Sequence, residues 1–378
     1  MLPLLLLLRL LLVALVGTAP AWAAAAAADV HAAVDLTEQP TQFEHYWKRC
    51  VGSGHLLLGT RQDWQEHLRL AKSELGFTGV RGHGLLDDDM SVLPGEWGSQ
   101  AGTQWGLPSQ QSPYEFYNVD TVYDFLVSIE VKPVVELSFM PKALVTCGGG
   151  TDPETGVTEP DCVYSHSSYG SGGPGHGAYK GLMMPPDDYN QWYDLIRALA
   201  LHLVDRYGLD VVATWHFEVW NEMQGLRPRP AHGPANRSIT PPAYMSLFNA
   251  SSAALKSVSP KLRVGGPATM QLFDVEDFLS RCEAQDIAVD FVTTHLYPTC
   301  PECQTNATHA RPDCFAELVL ESSRVAERHK LPFLLTEYNN GLGGTNRDDA
   351  SGAAFLFRNV GLLESLDMWS WWTFSDVR

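Results

Sequence analysis

Short apolar runs recur along this chain, and between them lie stretches with apolar residues three and four apart. The runs read as buried strands and the stretches as amphipathic helices. The expected strands are Cys50–Gly54, Thr78–His83, Pro133–Ser138, Val212–Trp220, Arg263–Gly265, Phe291–His295, Phe333–Thr336 and Met368–Phe374. The expected helices are Arg61–Leu75, Val119–Ile129, Tyr189–Tyr207, Pro242–Val258, Val275–Ala284, Cys314–His329 and Ala350–Leu363. Pro185 and Pro186 precede the third helix, and Asp187 or Asp188 is placed to cap it.

Eight strands alternating with helices predict an α/β fold, a (β/α)8 TIM barrel. A doubly wound open sheet explains the same alternation. It usually carries a Gly-rich phosphate loop after its first strand, and Val51-Gly52-Ser53-Gly54 lacks the GxGxxG spacing. Arg378 comes soon after the last strand, so the barrel is expected to be cut short there, without an eighth helix. Part of the aromatic surface of Met368–Phe374 is then expected to meet water.

Two inserts follow strands. Asp87–Tyr117 carries Trp97, Trp105 and Tyr114, and Met140–Pro186 carries the Gly-rich tract Tyr169–Gly177. Both would lie on the C-terminal face, where barrels build their sites. Long structureless loops there serve as lids or binding loops, or are plain mobile surface.

Candidate chemistry sits at two strand ends. The aromatic run Trp215–Trp220 ends on Asn221-Glu222, and Leu331–Thr336 ends on Glu337. A pair of carboxylates flanking one bond is what glycoside hydrolysis needs. Taken alone, the pair could equally be two surface loop carboxylates. A resting acid needs a raised pKa, which an apolar wall such as Trp220 would supply. A nucleophile must stay ionised, for which Arg81 and Tyr297 are the candidate partners. Strict alternation would point Asn221 and Glu222 to opposite faces. Both reach one site only if the strand breaks its pleat there. Glu218 shares parity with Glu222 and reads as a buried ion-pair partner for Arg81. Glu136 reads as structural. No HxH, HExxH or Gly-x-Ser-x-Gly motif occurs, so no metal, no cofactor and no serine elbow is expected.

Charge narrows the partners. The 378 residues carry a formal net charge of −18, which disfavours nucleic acid. Leu4–Val16 is apolar but for Arg9, and Ala21-Trp22-Ala23 has the pattern of a signal-peptidase site. The expected organisation is a signal peptide over 1–23, a lead-in over 24–41 and a catalytic domain over 42–378. Pro20 and the small residues argue against the alternative, a membrane anchor over Leu10–Ala28, so no integral span is expected after cleavage. Asn236, Asn249 and Asn306 open glycosylation sequons, in keeping with the secretory pathway and an extracellular, lysosomal or vacuolar destination. Seven cysteines leave at least one unpaired. Cys50 is the expected buried thiol, and Cys147 and Cys162 the expected pair. Cys300-x-x-Cys303 lacks the second half of a zinc site and is expected to form disulfides with Cys282 or Cys314.

Several motifs together resemble family 39 of the glycoside hydrolases, which holds β-xylosidases and α-L-iduronidases. They are Trp-x-Phe-Glu-Val-Trp-Asn-Glu222, His295-Leu-Tyr-Pro, Leu-Thr-Glu337-Tyr-Asn and Trp372-Thr-Phe-Ser-Asp376, with Cys50–His55 and Val80–Leu86 at the first two strand ends. The resemblance covers about Gln42 to the end of the chain. It implies a retaining barrel with Glu222 as acid/base and Glu337 as nucleophile, and a β-sandwich segment beyond the barrel. It also implies that His83, Asn221, His295, Tyr297 and Asp376 bind substrate, while Arg81 is expected, on its charge, to support the nucleophile. Iduronidases place a Lys near Tyr297, suited to a substrate carboxylate. The expected activity is therefore a secreted, β-xylosidase-like retaining exo-glycosidase acting on an oligosaccharide or glycoside. An α-L-iduronidase-like glycosaminoglycan hydrolase is the alternative within the family, and a non-catalytic carbohydrate-binding barrel the alternative outside it.

Overall fold

The computed structural model describes residues 44–94, 113–146, 164–168, 180–226, 240–270, 272, 274–298, 303–306, 309–310, 314–341, 349–363 and 366–375. Eight parallel strands close into a barrel in the order β1-β12-β11-β8-β7-β6-β3-β2. They are β1 Cys50–His55, β2 Gly79–His83, β3 Lys132–Leu137, β6 His216–Val219, β7 Arg263–Met270, β8 Phe291–Leu296, β11 Phe333–Tyr338 and β12 Met368–Trp371. Two small antiparallel pairs lie outside it, β4 Tyr164–Ser168 with β5 Lys180–Leu182 and β9 Gln304–Asn306 with β10 His309–Ala310. The helices are α1 Gln62–Leu75, α2 Tyr117–Ser128, α3 Tyr189–Tyr207, α4 Leu209–Val212, α5 Pro242–Val258, α6 Val275–Ala284, α7 Cys314–Arg328 and α8 Ala350–Val360. Among the described residues no helix is long and apolar enough to cross a membrane.

The helices form because their apolar residues repeat on one stripe. In α3, Trp192, Leu195, Ile196, Leu199, Ala200 and Leu203 are buried, which is the three-and-four spacing of a core-facing helix. Of the two candidate caps, Asp188 holds α3, accepting from Asn190 N at 2.8 Å.

Inside the barrel the side chains stack in layers. Cys50, Val134, Phe291, Leu334 and Met368 form an apolar plug towards the strand starts. A Cβ on Gly265 would stand 2.3 Å from the Phe291 ring, so only glycine leaves room for that plug. Above it come buried polar residues, among them Arg81, Glu136, Glu218 and Thr336. A cavity of about 530 Å³ opens at the opposite, strand-start end, lined by Arg49, Lys132, His216 and Arg263 among others. It holds neither Glu222 nor Glu337.

Several expected boundaries shift for physical reasons. Val212 was expected to open the fourth strand. It closes α4 instead, with its N–H bonded to Gly208 O at 3.1 Å, so a helical turn overrides a β-branched propensity. Strand β7 runs to Met270 rather than stopping at Gly265. Its two glycines serve close packing, Gly265 against Phe291 and Gly266 against the Tyr244 hydroxyl. The long insert after β3 is not structureless, because it carries β4 and β5. The last strand ends at Trp371. Of the aromatic residues over Met368–Phe374, Trp369 is fully buried, with Tyr338 stacked at 4.5 Å and Tyr46 at 5.4 Å, while Trp371, Trp372 and Phe374 are half-buried, so part of that surface does meet water. Exposed apolar surface lies also on α8 at Phe357, which is 87% exposed.

Cys50 is a buried free thiol, pushed up to about 12 chiefly by burial. Cys303 pairs with Cys314, and Cys282 is free. Cys147, Cys162 and Cys300 lie outside the described residues. Asn249 is exposed on α5, while Asn236 lies outside the described residues.

Candidate active site

Glu222 and Glu337 reach the same site by two local departures from regular strand. Strand β6 ends at Val219, and Trp220 (φ 72°) and Glu222 (φ 52°) then take left-handed conformations. Such angles are uncommon for residues with a Cβ, above all for a bulky one. They break the alternation, so Asn221 and Glu222 both serve the barrel mouth. The Glu222 N–H is tied to Ala268 O on β7 at 2.8 Å. On β11 the register against β8 shifts between Leu335 and Glu337. A bulge of this kind re-aims side chains. Thr336 consequently donates to Glu218 Oε1 at 2.7 Å while Glu337 also faces the site.

Arg81 organises the floor. It is wholly buried and spends its fork on four oxygen partners, with His295 Nε2 a further 3.4 Å from Nη2. Nε donates to Glu218 Oε2 at 2.5 Å and Nη1 to Glu337 Oε1 at 2.8 Å. Nη2 donates to Asn221 Oδ1 at 2.9 Å and lies 2.7 Å from Glu136 Oε2. Four donor contacts in a fixed plane are what a guanidinium supplies and an ammonium does not.

Glu337 collects donors on both oxygens. His83 Nε2 stands 3.2 Å from Oε1, and Tyr297 donates its hydroxyl to Oε2 at 2.8 Å. Burial would push the Glu337 pKa up. The charges of His295, Arg81 and His83 and the hydrogen bond from His83 outweigh it and hold the carboxyl well below the usual range. Glu222 meets His295, whose Nδ1 lies 3.3 Å from Glu222 Oε1 and 3.7 Å from Glu337 Oε2. One oxygen of each carboxylate and a ring nitrogen of His295 all fall within 4.8 Å of one another.

His83 lies between two carboxylates. Its Nδ1 is 2.8 Å from Glu136 Oε2, opposite the Glu337 contact. Trp372 packs on its ring with centroids 4.4 Å apart. A Cβ on Gly52 would come within 2.4 Å of Trp372 Cε3, so the glycine on β1 makes room for that indole.

The structure thus gathers Arg81, His83, Asn221, Glu222, His295, Tyr297 and Glu337 at one end of the barrel. Asp376 lies outside the described residues. Trp220 packs edge-on against Phe139 at 5.4 Å, and the polar side chain brought to Glu222 is His295. Sequence reasoning gave Glu136 no part in the site, although it shares strand parity with Val134, which faces the barrel interior. It also missed His55, Asp87 and Asp89 at the neighbouring strand ends. His55 Nε2 lies 2.7 Å from Asp89 Oδ2, and burial pushes Asp87 up to about 7. Their signal was the run Asp87-Asp88-Asp89 after a strand, opposite a strand-end His. These three side chains, or Glu222, His295 and Glu337, lie close enough to share a cation. In the second set Arg81 and Tyr297 already bond Glu337.

A closed parallel barrel with two carboxylates converging at the strand C-termini defines the class: a (β/α)8 protein with a glycosidase-type site. The chain belongs to the glycosyl hydrolases family 39, whose model matches residues 30–168 and 160–378. It is 34% identical over 344 residues to a β-xylosidase of Caldicellulosiruptor saccharolyticus, covering 88% of this chain and 61% of that protein. A solved family 39 β-xylosidase of Caulobacter crescentus superposes with a TM-score of 0.66 at 26% identity, covering 87% of this chain and 62% of the other. Human α-L-iduronidase matches locally, 39% identical over 77 residues, which is 20% of this chain and 11% of that protein. The chain spans about three fifths of the length of the β-xylosidases it matches.

Proposed function

We propose that this chain is the barrel of a retaining exo-glycosidase that cleaves β-xylosides. The observation that carries the reading is the close approach of two unlike carboxylates. Retaining enzymes hold their carboxyls roughly 5–5.5 Å apart, and inverting ones roughly 6.5–9.5 Å apart to seat a water. Oxygens of Glu222 and Glu337 within 4.8 Å suit the first class. Glu337, ringed by donors and held ionised, attacks the anomeric carbon. Glu222, partly open and beside His295, protonates the departing oxygen. Glu222 then takes a proton from water, which attacks the glycosyl ester and releases the sugar. Two inversions leave the configuration retained. Asn221 contacts the sugar 2-hydroxyl, and Asp376 the glycone.

The long match to a β-xylosidase favours a neutral sugar, and so does Tyr297 where iduronidases carry Lys. The local match to human α-L-iduronidase supports a second reading, a uronide substrate. The apolar, signal-peptide-like pattern over 1–23 and the exposed sequon at Asn249 support entry into the secretory pathway. A panel of 4-nitrophenyl glycosides on the full chain tests the activity. β-Xyloside turnover far above α-L-iduronide turnover is expected. The reverse order selects the uronide reading, and no turnover of any sugar selects a carbohydrate-binding barrel.

A further inference from the structure

Glu136 lies outside the reaction just described, yet it is linked to the nucleophile through one side chain. His83 has a carboxylate at each ring nitrogen, Glu136 Oε2 at 2.8 Å from Nδ1 and Glu337 Oε1 at 3.2 Å from Nε2. An ionised carboxylate only accepts. Glu136 also faces Arg81 Nη2 at 2.7 Å and accepts from Ser138 Oγ, so it stays ionised. A neutral ring would turn a bare nitrogen towards one of the two carboxylates, so this placement favours a proton on each nitrogen, which makes the ring a cation.

We infer that Glu136 is a positioning residue for the nucleophile: through His83 it fixes a charged N–H donor against Glu337. The inference rests on the reading of Glu337 as nucleophile. The groups around the ring agree. Arg81 lies on the same strand, His55 is its register partner on β1, Glu136 comes from β3 and Glu337 from β11. Tyr297 and His295 lie beyond Glu337, and Trp372 covers the ring face. Burial pushes the His83 pKa down, but the charge and hydrogen bond of Glu136, followed by those of Glu337, overcome it and raise it to about 9. Glu136 and His83 together add no net charge. Their effect is to hold the positive end of the pair against the nucleophile and the negative end away from it.

The test labels the histidines of the full chain with 15N and follows the ring nitrogens at pH 7.5. The His83 signals are assigned by their loss in His83→Asn. The expected wild-type His83 is doubly protonated at a pH where an ordinary imidazole, with a pKa of about 6.5, is mostly neutral. In Glu136→Gln it becomes a neutral tautomer, and in Glu136→Asp it stays partly protonated. With 4-nitrophenyl β-xyloside, Glu136→Gln is expected to lose about tenfold in kcat at pH 7.5 with little change in KM. The loss shrinks below about pH 6, where the ring recharges. A neutral His83 in the wild type overturns the inference, even if Glu136→Gln does not fold. So does a doubly protonated His83 in Glu136→Gln, or a kcat loss that is the same at every pH. A wild type that turns over no glycoside but keeps a doubly protonated His83 overturns the reading of the site, not the Glu136–His83–Glu337 link.

Discussion

Tyr297 donates its hydroxyl to Glu337 Oε2 at 2.8 Å, on the carboxylate oxygen opposite the one held by Arg81. The phenol is almost wholly buried, and its own pKa is pushed far up by burial and by the charge of Glu337. It therefore acts as a fixed neutral donor. A hydrogen bond to a charged group contributes roughly 1.5–3 kcal/mol. Tyr297→Phe is expected to lower kcat/KM for an aryl β-xyloside by about tenfold to a hundredfold. An unchanged value would remove Tyr297 from the site.

The two carboxylates should fail differently. Glu337→Gln leaves no nucleophile and is expected to abolish turnover. Glu222→Ala removes proton transfer, which matters least for acidic leaving groups. It should retain more activity on 2,4-dinitrophenyl than on alkyl glycosides. Azide should restore it and yield a glycosyl azide of retained configuration. A product of inverted configuration would contradict the double displacement.

Arg81 is the floor's main cation, with Glu136, Glu218 and Glu337 all in contact. Breaking a buried ion pair by deleting one partner costs about 3–5 kcal/mol. Arg81→Met should therefore lower the melting temperature by about 10 °C. Arg81→Lys keeps the charge but not the fork, and should still lose most activity. Thermal unfolding and xyloside kinetics on both variants check this.

Stability should fall above neutral pH. His83 is raised from an ordinary 6.5 to about 9, so the folded state holds its proton more tightly. Its stabilisation is fully present below about pH 6.5 and is lost as pH rises through about 9. Asp87, raised from 3.8 to about 7 by burial, has the same sign over a lower range. Glu337 and Glu136, both held low against burial, contribute in the opposite sense and lose their stabilisation in acid. Melting temperature measured from pH 4 to 10 should fall on both sides. His83→Gln should flatten the slope between about 6.5 and 9. An unaltered slope in that variant would refute the assignment.

Gly52 and Trp372 should couple. An added methyl at Gly52 would overlap the indole edge, so Gly52→Ala should displace Trp372 from His83. Overpacking of this kind costs about 1–3 kcal/mol. Activity is expected to drop about tenfold, and the double variant Gly52→Ala, Trp372→Ala should be no worse than Trp372→Ala alone. Additive losses would show the two act separately.

Much of this protein was legible along the chain. Apolar runs of strand length alternating with three-and-four spacings determined a parallel sheet covered by helices, because strands buried on both faces need helices over them, while the missing GxGxxG spacing favoured the barrel over an open sheet. The carboxylates and their chain order were legible too, since a strand end in a barrel is a position at the mouth. What only the tertiary structure decided is which neighbours those side chains have. Left-handed Trp220 and Glu222 cancel the alternation that separates Asn221 from Glu222. A register shift lets Thr336 and Glu337 serve adjacent layers. Glu136 reads as one acidic residue in an apolar strand until β3 is set beside β2, where it fixes the state of His83. Such pairings join residues up to 256 positions apart, and periodicity reports which face a residue occupies, not what lies opposite.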